Sequence, residues 1–193
     1  MKKALYTLPF LFLAIGCAEP QIKESFHENG QLKTRAHYKG GKAQGLFEAF
    51  YETGQLQGRS HHKGGKLQGL LESFYEDGQL QTRANFKNGT RDGLQESFYQ
   101  NGNPKLRGNY KAGKREGLES TFHQNGKPKT RIHYKHGEQN GLEEVFYQNG
   151  QLKERIHFKQ GKEEGLMEIF DKTGKLLKKA FYQEGEKIPL PPQ

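Results

Sequence analysis

The side chains that could carry chemistry are few, and their spacing argues against catalysis. Of eight His, four (His37, His61, His133 and His157) occupy one recurring position. Asn85, Asn109 and Phe181 hold that position elsewhere, so no common metal or proton-transfer role fits it. Copies of a position that recurs every second strand lie about 10 Å apart, too far to share a metal. Asp occurs only at Asp77, Asp92 and Asp171. No Ser-His-Asp order, Cys-His pair, P-loop or Gly-x-Gly-x-x-Gly is present. The expectation is a chain without catalytic residues, metal or cofactor.

The positions that recur belong to a repeat. Phe26, Phe50, Phe74, Phe98, Phe122, Phe146 and Phe170 follow one another at 24 residues. Gly30 to Gly174 and Gly41 to Gly185 keep the same step, and Gly45, Gly69, Gly93, Gly117, Gly141 and Gly165 each precede a Leu. Glycine at this frequency, with no helical period, excludes helix. Each unit holds two turn signals. The first is Asn-Gly, Thr-Gly or Asp-Gly, as at Asn29-Gly30, Thr53-Gly54 and Asp77-Gly78. Between alternating segments it predicts a two-residue loop with positive φ at both central residues. The second turn keeps only its Gly. Only 32% of residues are hydrophobic and Trp is absent, so a thin sheet is expected in place of a two-layer core. The predicted fold is all-β: tandem 24-residue β-hairpin repeats in an elongated, coiled, antiparallel up-and-down meander.

One unit reads Phe146-Tyr147-Gln148-Asn149-Gly150-Gln151-Leu152-Lys153, then Phe158-Lys159-Gln160-Gly161-Lys162-Glu163-Glu164-Gly165. This pattern resembles the MORN-repeat variant, over residues 22–187. The variant occurs in bacterial proteins often labelled YwqK-type antitoxins. The resemblance implies a repeat array that binds, and with that label, neutralisation of a toxin by direct contact. Pro104 and Pro128 replace the usual Leu after the first turn, which the first residue of a strand tolerates.

Reading the first turn as a two-residue loop pairs Tyr51 with Leu56, Phe50 with Gln57 and Glu48 with Arg59. The same rule pairs Glu24–Arg35, Glu72–Arg83, Glu96–Arg107, Glu144–Arg155 and Glu168–Lys179, and fails only at Ser120–Arg131. Facing opposite charges contribute about 0.2–1 kcal/mol each. The second turn must then differ, because backbone groups alternate sides along a strand. A four-residue loop, Lys39-Gly40-Gly41-Lys42, satisfies this; a bulge at Gly45 is the alternative. Leu46, Glu48, Phe50, Lys33, Arg35 and His37 then share one face. Tyr51, Leu56, Ala36, Tyr38 and Ala49 share the other, with Tyr38 diagonally across Gly45. Tyr51, Tyr75, Tyr99 and Tyr147 form the candidate binding face. The pairing drifts two residues per repeat, which at about 3.3 Å per residue tilts the strands roughly 35° and predicts a coiled, partly closed sheet.

Residues 1–16 read as a signal peptide: Lys2 and Lys3, then the apolar run Leu8-Pro9-Phe10-Leu11-Phe12-Leu13-Ala14-Ile15, too short to span a bilayer. The run ends at Gly16-Cys17, which resembles the bacterial lipoprotein signal and implies lipidation of Cys17. Ala14-Ile15-Gly16 would also pass as an ordinary signal-peptidase site. Residues 17–21 follow as a short linker and residues 188–193 as a Pro-rich tail. Less Lys2 and Lys3, the 31 Lys and Arg stand against 22 acids, a mature net charge of +7. That charge favours an anionic glycan, lipid headgroups or an acidic protein. The expected protein is a non-enzymatic binding scaffold of the bacterial cell envelope, anchored to the membrane by lipid. Its partner is a protein, which a toxin would satisfy, or a glycan, and nucleic acid is not expected.

Overall fold

A computed structural model describes residues 19–190. The strands run in chain order as β1 (Gln21–Phe26), β2 (Leu32–Lys39), β3 (Lys42–Phe50), β4 (Leu56–Lys63), β5 (Lys66–Phe74) and β6 (Leu80–Lys87). They continue as β7 (Thr90–Phe98), β8 (Pro104–Lys111), β9 (Lys114–Arg115), β10 (Gly117–Phe122) and β11 (Pro128–Lys135). The last five are β12 (Glu138–Phe146), β13 (Leu152–Lys159), β14 (Lys162–Phe170), β15 (Leu176–Gln183) and β16 (Glu186–Ile188). All lie in one antiparallel sheet, each beside the next, with the two-residue β9 pairing β8. The extensive contacts join hydrogen-bonded neighbours only. The result is the meander that the alternating residues and paired turn signals dictate.

The two turns differ from the sequence expectation, and both differences have a local cause. At the first turn the Tyr51 N–H donates to Gln55 O at 2.8 Å and the Gly54 N–H to Tyr51 O at 2.9 Å. Gly54 has φ +82°, whereas Thr53 does not enter the left-handed region. This is a three-residue loop, a type I turn closed by a left-handed glycine in a bulge. Asn and Asp favour it by capping: Asn29 Oδ1 accepts the Gln31 N–H at 3.0 Å, and Asp77 Oδ1 the Gln79 N–H at 3.0 Å. The expected Tyr51–Leu56 and Phe50–Gln57 pairs therefore do not form. Phe50 faces Leu56, and the register shifts before Ala49 meets Gly58. Leu56 thus lies on the face of Phe50, not that of Tyr51.

The four-residue second loop is also overturned. Lys39 faces Lys42 across the two residues Gly40 and Gly41, at φ +57° and +74°. The bulge takes up the difference: Tyr38 pairs Ala43 but Ala36 pairs Phe47, so His37 faces three residues, Gln44 to Leu46. Gly45, at φ +101°, sits in that bulge. It faces His62 of the next strand rather than Tyr38.

This bulge cancels the predicted drift. Glu48 faces Arg59 and Arg59 faces Glu72, so the ladder returns to the same position after 24 residues. Without drift there is no shear to close a barrel. The sheet stays open, with β1 and β16 at its ends, and the expectation of partial closure is corrected.

Burial in this single layer comes from neighbours on the same face. Ala36, Ala84, Ile156, Met167 and Ala180 are buried on the face opposite the Glu and Arg residues. Ile156, Met167 and Ala180 form a small core packed by Phe158, Ile169 and Tyr182. The repeats are also tied along both edges. The Gly65 N–H reaches Ala43 O at 2.8 Å, and Gly89, Gly113, Gly137, Gly161 and Gly185 repeat the bond.

Candidate interaction faces

The charged residues form one row across the sheet, broken at Ser120. Glu24 faces Arg35, Arg35 faces Glu48, and the alternation runs through Arg59, Glu72, Arg83, Glu96 and Arg107. It resumes with Arg131, Glu144, Arg155, Glu168 and Lys179. Arg35, Arg59, Arg83 and Arg155 each lie between two acids, and the side chains choose. Glu48 and Arg59 share a rung, but Arg59 binds Glu72 at 2.6 Å and Arg35 approaches Glu48 at 3.7 Å. Glu72 and Arg83 share a rung, but Arg83 binds Glu96. Glu144 and Arg155 share a rung, but Arg155 binds Glu168 at 2.5 Å and Arg131 approaches Glu144 at 3.7 Å. Glu96 and Arg107 bind directly, at 2.8 Å.

Glu96 is the most enclosed of these acids, with its side chain 2% exposed. Burial opposes its ionisation, but the hydrogen-bonded Arg83 and Arg107 outweigh that and hold the carboxyl below its ordinary value. Glu168 follows the same logic between Arg155 and Lys179. On the same face Arg59, Arg131 and Arg155 lie over the rings of Phe74, Phe146 and Phe170 at 5.8, 5.2 and 5.8 Å. Phe74, Phe146 and Phe170 thus pack under guanidinium groups, which favours an aromatic ring on a charged face.

The tyrosine row lies on the opposite face and its hydroxyls are engaged within the array. Tyr51 donates to Phe74 O at 2.7 Å, Tyr75 to Phe98 O at 2.8 Å, Tyr99 to Phe122 O at 2.8 Å and Tyr147 to Phe170 O at 2.9 Å. Each tyrosine clamps the following repeat. His27 and His123 occupy the same position and reach Phe50 O at 2.9 Å and Phe146 O at 3.2 Å through Nε2. These residues offer a partner half-buried rings rather than free hydroxyls.

The four repeated histidines sit beside leucine or isoleucine: His37 faces Ile22, His61 Leu46, His133 Leu118 and His157 Leu142. Among the described residues no group of three or more His, Cys, Asp or Glu could hold a metal. No described helix is long and apolar enough to cross a membrane. Cys17 and the apolar leader lie outside the described residues.

Two polar groups on the opposite face were missed in the sequence. His62 stands where other repeats place Tyr38, Phe86, Tyr110, Tyr134, Phe158 and Tyr182. Its ring meets Phe47 edge-on at 6.1 Å, and its Nδ1 is buried without a hydrogen bond. Burial, then His61, lowers its pKa. Glu143 stands where three repeats place Phe47, Leu71 and Met167 and three place Lys23, Gln95 and Glu119. Burial raises its pKa, and Glu154 and Glu163 add to the effect against a 2.8 Å hydrogen bond from Gln139. Reading the repeat positions as columns exposes His62 as the single polar residue of an aromatic column, whereas the column of Glu143 mixes apolar and polar residues and gives no such signal.

The family model for the MORN repeat variant matches seven segments: residues 22–39, 43–63, 67–88, 91–112, 115–136, 139–160 and 163–184. No curated protein matches the chain. The matched segments cover well over half of it, and each spans the hairpin unit described above. This chain belongs to the MORN repeat variant family.

Proposed function

We propose that the protein is an exported, non-enzymatic binding scaffold, held at a bacterial membrane by lipid on Cys17 and presenting its sheet to a protein partner. The observation that supports this is a single-layered sheet with, among the described residues, no second layer over either face, on which like side chains recur in rows from repeat to repeat. Such a surface is suited to an extended partner. Single-sign steering is weaker than the net charge suggests, because the arginines of the row face acids.

The anchor and the partner are tested together. Cys17→Ser should move the protein from the membrane fraction to a soluble exported fraction. Retention in the membrane pellet as firm as that of the parent contradicts the anchor. Cross-linking in cells, followed by capture from solubilised membranes, should recover a stoichiometric protein partner. A partner that is a toxin would assign immunity; recovery of glycan alone, or of nothing, contradicts the reading.

A further inference from the structure

The charged row is interrupted once. At the rung where Glu24, Glu48, Glu72, Glu96, Glu144 and Glu168 stand, β10 carries Ser120. Ser120 faces Arg107 on one side and Arg131 on the other. We propose that this gap binds a carboxylate supplied from outside: an Asp or Glu side chain of a protein partner laid across the charged face. The inference rests on the reading of the array as a protein-binding scaffold and names the chemistry of one contact.

Three observations carry it. Arg35, Arg59, Arg83, Arg107 and Arg155 each donate a hydrogen bond to a carboxylate. Among the described residues Arg131 does not; its carboxylate neighbour, Glu144, stands 3.7 Å away. The two guanidinium groups at the gap are open to solvent, with side chains 62% exposed at Arg107 and 46% at Arg131. The backbone is irregular at the same place: β9 and β10 are separated by Glu116, and β10 meets β8 through only two paired residues.

The array itself shows what fills such a gap. Glu96, between Arg83 and Arg107, is a carboxylate held by two guanidinium groups on adjacent strands. At Ser120 the two flanking arginines recur without the carboxylate: Arg107 is bound to Glu96 and Arg131 lies near Glu144 and over Phe146, so an incoming acid would share the first and draw in the second, with the serine hydroxyl as a further donor. Arg–carboxylate contacts of this kind are charge-assisted and directional. Leu118, 42% exposed, and Phe122 lie two residues to either side on the same face. They offer apolar shoulders to a peptide. A flat anionic membrane would meet alternating charges along the rest of the row, so a single acidic side chain suits the site better.

The test is a titration of the full chain, followed by the Nε–Hε NMR signals of its arginines. The probe is an end-blocked Leu-Glu-Leu peptide, with Leu-Gln-Leu, sodium sulfate and heparin as comparisons. Leu-Glu-Leu should shift Arg131 and Arg107 and leave Arg59 and Arg155 in place. Ser120→Glu, which completes the row, should weaken that response by about tenfold, the loss expected for one charge-assisted contact. Arg131→Gln should weaken it similarly and guards against a folding defect in the first variant. An equal response to Leu-Gln-Leu, no response, or a response both variants retain would overturn the proposal. So would a response to sulfate or heparin at lower concentration than to the peptide. The cross-linking experiment is independent: partner capture undiminished in Ser120→Glu would remove this contact while leaving the scaffold reading intact, whereas no capture from the parent would remove the scaffold reading itself.

Discussion

At the scale of the residue, His62 is where the sheet works against a charge. Its ring fills an aromatic position, with Nδ1 buried and unpaired. Its folded pKa lies below 6.5, so below that value the unfolded chain binds the proton more readily. The contribution of His62 is therefore full above pH 6.5 and is lost as the pH falls through its folded pKa. His62→Phe installs the residue found at Phe86 and Phe158. It should raise the unfolding midpoint, and raise it more at pH 5 than at pH 8. Equal gains at the two pH values in thermal scans would contradict this. Glu96 and Glu168 add loss on acidification, below pH 4.5, because their folded pKa values are lowered. Glu143 runs the other way: its raised pKa favours the fold below pH 4.5, and that contribution is lost as the pH rises through its folded value. The shared rungs of Glu and Arg were legible because the charges recur at one separation. Which acid each guanidinium binds was not, because every Arg inside the row faces two acids or, at the gap, an acid and Ser120.

At the scale of the element, two turn chemistries alternate along the chain. The second turn is the one with two left-handed residues, and five repeats place a non-glycine first: Asn88 at φ +53°, Ala112 at +48°, His136 at +54°, Gln160 at +51° and Glu184 at +53°. Asn tolerates this region and Ala does not. Ala112→Asn should therefore stabilise the protein by about 0.5–1 kcal/mol. Chemical denaturation reads the shift, and an unchanged or lowered midpoint would show that this turn carries no strain. The sequence signal Asn-Gly was assigned to the wrong turn geometry because the side chain of Asn or Asp caps its own loop, an option that a dipeptide rule omits. The strands were legible from their alternation. The bulge at Gly45 was legible only as an alternative, since it follows from how the turns on both edges must agree.

At the scale of the molecule, the 24-residue step determined the repeat, the strand order and the family, and nothing in it determined closure. Closure depends on register drift, and the bulge in each repeat removes the drift. An open sheet bonded only to its neighbours should store its stability locally. Phe98 lies in β7, at the centre, and Phe170 in β14, near the end; both are half-buried. Truncating a half-buried ring should cost about 1–2 kcal/mol, less than a fully buried one. The direct test is hydrogen exchange on Phe98→Ala and Phe170→Ala beside the parent. The account predicts that Phe98→Ala weakens protection most in β6–β8 and that Phe170→Ala costs less and frays only the last hairpins. Equal, global loss of protection in both variants would contradict a repeat array and indicate a single cooperative closed structure.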